Sequence, residues 1–98
     1  MPVTLITVFS VPIAREEEFV KWWADIKDHI TKEPGFISGK FHKSIQSDRK
    51  FNYINVAIWQ NDDLYWKAYE KSVSPMKIKL GELGVEMTPA LYRVAFEY

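Results

Sequence analysis

Phe51-Asn-Tyr-Ile-Asn-Val-Ala-Ile-Trp59 reads as a β-strand with no polar side. One face carries Phe51, Tyr53, Asn55, Ala57 and Trp59, and the other carries Ile54, Val56 and Ile58. A strand whose sheet has one side in water alternates to polar residues, and this one does not. Just before it, the polar stretch 46–50, with Ser47-Asp48, predicts a turn. Residues 36–45 predict another strand, so the two form a hairpin. Just after it, Asn61 is an N-cap for a helix opening with Asp62-Asp63, which presents Leu64, Tyr65, Ala68 and Tyr69 on one side. Ser74-Pro75 suggests a fresh cap and first helical position for a shorter helix through Leu83, ended by Gly84. Residues 91–98 predict the last strand.

Toward the start, residues 3–11 are rich in β-branched side chains and stop at Pro12, predicting the first strand. Leu5, Phe9 and Val11 share one face, and Ile6 and Val8 the other. Residues 15–32 carry Phe19, Trp22, Trp23, Ile26 and Ile30, a spacing that puts all five on one helical stripe. Glu16, Glu17 and Glu18 suit its N-terminal turn, and Pro34-Gly35 stops it. The resulting order, β-α-β-β-α-β, predicts an α+β, ferredoxin-like fold with an antiparallel sheet and both helices on one face. Two helices cover only one side of that sheet. Burying the other takes a partner, most simply a second copy packed sheet to sheet, so a homodimer through the sheet face is expected.

The 98 residues suffice for one domain, 1–98, with 47% hydrophobic and 15% aromatic residues to build its core. Thirteen Lys and Arg balance thirteen Asp and Glu. No cationic surplus exists to displace counterions from nucleic acid, and none to hold an anionic membrane. The absence of cysteine removes disulfides, thiolate nucleophiles and thiolate metal sites, and fits a reducing cytoplasm. Residues 1–14 are the longest uncharged run. They are too few to span a bilayer and lack the basic lead of a secretory signal, so a cytoplasmic domain is expected.

Signatures of the commoner chemistries are missing: no glycine-rich phosphate loop, no His-Glu-x-x-His, no serine elbow. His29 has Asp25 four residues before it and Glu33 four after, a spacing open to a divalent metal but equally that of a solvated helix flank. His42 shares strand parity with Phe36, Ser38 and Lys40, and is either a hydrogen-bonded structural residue or a base. The most informative stretch is Asn55 through Tyr65. Asn55 and Trp59 point to the same face about 13 Å apart at ~3.3 Å per residue, roughly the length of a fused-ring molecule. Ala57 between them leaves room, and Tyr65, one turn into the next helix, can lean over that face. A buried amide without partners costs on the order of 1–3 kcal/mol, so Asn55 needs backbone, water or a ligand. The alternative is that the three are ordinary core and loop-bracing residues.

Asn55-Val-Ala-Ile-Trp59, Pro34-Gly-Phe-Ile-Ser38 and Phe41-His-Lys-Ser44 resemble the antibiotic biosynthesis monooxygenase domain family. The similarity runs from Thr7-Val-Phe-Ser-Val-Pro12 through Phe19 and Trp23 to Pro89-Ala-Leu-Tyr92. It implies a dimeric α/β barrel of ferredoxin-like protomers. One branch of that family oxidises polycyclic phenols to quinones with O2, using neither metal nor flavin, so no cofactor is expected. That branch places an Asn and a Trp four apart on the third strand and a Tyr six beyond the Trp, as Asn55, Trp59 and Tyr65 stand here. The resemblance implies that Asn55 and Trp59 hold dioxygen and the ionised substrate while Tyr65 hydrogen-bonds a substrate oxygen. Tyr69 would join the binding surface, Met76 and Leu80 would form a lid, and His42 is the best available base. A sister branch degrades haem with an Asn on the first strand and a His in the second helical region. Residues 3–11 contain no Asn and residues 62–83 no His, so haem cleavage is not expected. The rival from another class is a non-enzymatic dimer that binds a small aromatic molecule in the same cavity.

Overall fold

β1 (Val3–Ser10) alternates strictly between buried and half-buried residues, and β3 (Tyr53–Trp59) does the same. Both are central strands, because the sheet order is β2-β3-β1-β4 with every neighbouring pair antiparallel. The computed structural model describes residues 1–46 and 48–98. β2 (Phe36–Lys43) and β4 (Glu86–Tyr92) form the edges. The chain is thus an α+β, ferredoxin-like fold. The inward face of the sheet, with Leu5, Phe9, Tyr53, Ala57 and Trp59, packs against the helices. Ile6, Val8, Ile54, Val56 and Ile58 form the outward face and are half-buried.

α1 (Glu16–Ile30) follows a short 3-10 turn at Ile13–Arg15 and buries Phe19, Trp22, Ile26 and Ile30, with Trp23 half-buried beside them. Gly35 ends the connection to β2 in a left-handed conformation, φ 96°. A Cβ there would stand 2.6 Å from Leu64 Cβ, so only glycine lets the backbone pass under α2. α2 (Asp62–Ala68) starts as expected, with Asn61 Oδ1 accepting the Leu64 N–H at 2.9 Å. It then runs through one π-helical turn (Tyr69–Val73) and one 3-10 turn (Ser74–Met76) into α3 (Lys77–Leu83), which Gly84 closes.

Several expected boundaries move, each for a local reason. Val11 leaves the ladder because Asn52 replaces it: Oδ1 accepts the Val11 N–H at 2.9 Å and Nδ2 donates to the Val11 carbonyl at 2.8 Å. β3 therefore begins at Tyr53, and Phe51 is largely outside the core. Ser74 keeps helical backbone angles and caps nothing, so the helix bends there instead of restarting. The last strand is Glu86–Tyr92, not 91–98, since its partner β1 runs out where Tyr92 meets Thr4. Pro89 disguised this strand in the sequence; its missing N–H is tolerated on an edge. The turn expected at 46–50 includes Ser47, which lies outside the described residues. Among the described residues no helix is long and apolar enough to cross a membrane.

Candidate active site

Between α1, α2 and the inward face of the sheet lies a cavity of about 430 Å³, within the range of small-molecule sites. Its floor is laid by β1 and β3: Leu5, Thr7 and Phe9 stand beside Asn55, Ala57 and Trp59. Ala57 is opposite Gly39 of β2. A Cβ on Gly39 would come within 3.3 Å of Ala57 Cβ, so two minimal side chains keep this part of the floor low. Aromatic walls surround it. Trp23 stacks on Phe41 at 4.3 Å between ring centroids and 11° between planes. Phe36 meets Trp59 edge-on at 5.4 Å. The opening lies between the exposed flank of α1 at Lys27 and Thr31 and the edge strand at Ser38, Gly39 and Lys40.

Three of the residues singled out in the sequence meet here. Asn55 and Trp59 share the floor, and the Tyr65 ring stands 5.4 Å from that of Trp59, nearly perpendicular at 71°. Tyr69 joins them, 6.1 Å from Tyr65. Trp59 is 1% exposed, yet among the described residues its Nε1–H has no hydrogen-bond partner. Buried polar groups are nearly always paired, so an orphaned indole N–H beside a cavity is the kind of donor a ligand satisfies. Burial pushes the Tyr65 hydroxyl well above the ordinary tyrosine range, and neighbouring Tyr69 adds to the effect. Tyr65 thus stays a neutral donor at any physiological pH.

The structure leaves His42, Met76 and Leu80 outside the cavity. His42 pairs with Ile54 and projects from the opposite face of the sheet, where its Nδ1 lies 3.3 Å from the Ile54 carbonyl. A bulge between Phe36 and Ser38 separates them: Phe36 turns inward opposite Trp59 while Ser38 and His42 remain outward, breaking the shared parity the sequence suggested. Leu80 is core, 3% exposed. Met76 is held away by its carbonyl, which accepts the Trp22 Nε1–H at 2.9 Å, and its side chain borders a separate surface groove. His29 Nδ1 lies 2.8 Å from the Asp25 carbonyl, and among the described residues no group of three potential metal ligands assembles. Among the described residues the lining includes no Asp, Glu, His or Cys.

Sequence reasoning passed over Thr7, the other buried polar residue of the floor, 4% exposed and directly opposite Asn55 in the β1–β3 register. The available signal was a hydroxyl on the strand face of Leu5 and Phe9. Also missed was Tyr53, whose hydroxyl donates to Glu16 Oε1 at 2.7 Å and ties β3 to α1 outside the cavity. Burial and that carboxylate push the Tyr53 hydroxyl up to about 12.

Residues 2–74 match the family model described as antibiotic biosynthesis monooxygenase. The chain belongs to this family. Among solved structures it is similar to a candidate monooxygenase from Shewanella loihica PV-4, with 38% identity, a TM-score of 0.83, and 98% of this chain and 96% of that one covered. It shares its fold with SnoaB, a cofactor-independent oxygenase from Streptomyces nogalater, at 23% identity and a TM-score of 0.79, with 98% and 95% covered. A haem-degrading protein from Mycobacterium tuberculosis has the same fold at 17% identity and a TM-score of 0.69, with 100% and 99% covered. No curated protein matches the chain.

Proposed function

We propose that this member of the family is a cofactor-independent monooxygenase that oxidises an electron-rich phenolic, polycyclic aromatic molecule to a quinone. The observation that carries the reading is the Trp59 N–H, unpartnered among the described residues, set with Asn55 and Tyr65 in a cavity whose inner walls are mostly aromatic and aliphatic. Triplet oxygen reacts poorly with closed-shell molecules, but an electron-rich phenolate passes it one electron directly. Recombination of the resulting radical with superoxide at a ring carbon, followed by loss of water, leaves the quinone. One oxygen atom stays on the ring, the other departs as water with two substrate hydrogens, and the substrate supplies all the electrons. The protein holds the reactants together, excludes water, and offers neutral donors to the developing oxyanions. Asn55 and Trp59 serve the dioxygen and the ionised ring, and Tyr65 a substrate oxygen. Tyr69 completes the wall next to Tyr65.

The half-buried outward face, with Ile6, Val8, Ile54, Val56 and Ile58, supports pairing with a second copy of the chain. Sedimentation at micromolar concentration is expected to give a dimer; a monomer there would refute the pairing. The activity itself is tested by incubating the protein with anthrone or a naphthol in air and following oxygen uptake and quinone absorbance. Uptake that is lost in Asn55→Ala is the expected result. Binding of the phenol without any oxygen consumption would replace the oxygenase with a non-enzymatic binding module.

A further inference from the structure

Among the described residues three polar ones are buried: Thr7, Asn55 and Ser72. Ser72 is accounted for, since its hydroxyl donates to Glu33 Oε1 at 3.2 Å. Thr7 is not. Among the described residues its hydroxyl makes no hydrogen bond, although only 4% of the residue is exposed and it lines the cavity. Its position explains why. β1 is flanked by β3 on one side and β4 on the other, pairing Thr7 with both Asn55 and Pro89, so the neighbouring backbone groups are engaged in ladders. Valine has the same shape and would serve a purely structural purpose at lower cost, as it does at Val3 on the same face.

We infer that Thr7 is a substrate-binding residue whose hydroxyl, together with the Asn55 carboxamide, hydrogen-bonds one oxygen of the ligand. Residues directly opposite in an antiparallel pair have Cβ atoms about 5 Å apart, a gap that one oxygen atom bridges. The pair lies in the middle of the floor, and Trp59 with Tyr65 lies farther along β3. The cavity therefore has two polar stations along one strand face. The ligand class that satisfies both is a fused aromatic ring system with oxygen at two separated positions. This rests on the reading of the cavity as a phenol site, but not on the oxidation that follows binding.

The test is binding under nitrogen, read from quenching of the cavity tryptophans, with naphthalene, 1-naphthol and 1,5-dihydroxynaphthalene. Thr7→Val is expected to weaken 1-naphthol about 5-fold, the value of one neutral hydrogen bond, and to leave naphthalene unchanged or tighter. Thr7→Ser, which keeps the hydroxyl, should stay within about 2-fold of the parent for all three. The parent protein should hold the diol more tightly than 1-naphthol. Thr7→Val should not melt lower, because the hydroxyl it removes holds no partner within the described residues and faces the cavity. A structural hydroxyl predicts the reverse: a lower melting point and equal losses for naphthalene and naphthol. Equal 1-naphthol affinity in the parent and Thr7→Val overturns the assignment. Binding that depends on Thr7 but is followed by no oxygen uptake in air overturns only the oxygenase reading, so the two failures are distinguishable.

Discussion

Replacing Trp59 by Phe separates the chemistry of the indole N–H from the packing of its ring. Trp59 is 1% exposed, between Phe36 and Tyr65, both of which meet it edge-on. The smaller ring leaves a void of roughly 40 Å³, which at about 24 cal/mol per Å³ costs close to 1 kcal/mol. Against this, the substitution removes a buried donor without a partner, whose desolvation costs on the order of 1–3 kcal/mol. The balance lies between no change and a gain of about 2 kcal/mol, so Trp59→Phe should not destabilise the chain, whereas truncating a well-satisfied core tryptophan to alanine typically costs about 3–5 kcal/mol. Turnover should behave differently. Loss of one preorganised donor to a developing oxyanion slows reactions by about 10²–10³. The assay is quinone formation from anthrone in air, run beside urea unfolding of the same sample. A variant that is destabilised by several kcal/mol but turns over normally would show that the N–H is paired in solution and idle in catalysis, and would refute the reasoning.

Turnover of a phenol should rise with pH through the substrate's own ionisation and then level off, since the Tyr65 hydroxyl, raised above the ordinary tyrosine range, remains protonated and donating. A profile that keeps one fixed midpoint for phenols of different acidity would instead reveal a base in the protein. Tyr53 affects stability on the alkaline side: its contribution is complete below the ordinary tyrosine value of about 10 and is lost as pH rises through about 12. The urea midpoint of the parent should therefore fall more between pH 9 and 11 than that of Tyr53→Phe; parallel curves would sink this. Asn61→Ala, which removes the acceptor for the Leu64 N–H, should cost about 1 kcal/mol in urea unfolding and move Tyr65 enough to weaken phenol binding. An unchanged midpoint would show that the cap is dispensable.

The fold was legible wherever one side chain pattern had one solution. The stripe of Phe19, Trp22, Ile26 and Ile30 and the alternation along β1 and β3 each admit a single element, and those elements form. Boundaries failed where a side chain took over a backbone role, as Asn52 does for Val11. They failed again where pairing depended on a distant strand, as at Tyr92. In the site, Asn55, Trp59, Tyr65 and Tyr69 were legible because strand period and the first helical turn fix their direction. His42 was misdirected by a one-residue bulge, which nothing in Phe36-Ile37-Ser38 announces and which reverses the relation between Phe36 and the rest of β2. Met76 and Leu80 depended on where a bent helix turns its sides. That bend arises from a π-turn and a proline together, below the resolution of a periodicity argument.

The placement of His42 bears directly on the chemistry. With it on the outward face, the described lining offers hydroxyls, an amide, an indole and, at the opening, Lys27 and Lys40, but no Asp, Glu or His to serve as a base. General-base catalysis from the lining is therefore not available to remove the phenolic proton. Under the proposed oxidation the proton would be lost to water, before entry or at the opening beside Lys27 and Thr31, and the protein's part would be to favour the ion once it is inside. On the floor, away from Lys27 and Lys40 at the opening, neutral donors do this without a counter-charge in contact that would also stabilise the anion against giving up an electron. For the proposed oxidation the same arrangement favours fused-ring phenols and enolisable anthrones, whose extended anions give up an electron to dioxygen more readily than that of a single-ring phenol. A simple phenol gives a less delocalised anion, so it should bind in the cavity and be oxidised far more slowly than anthrone.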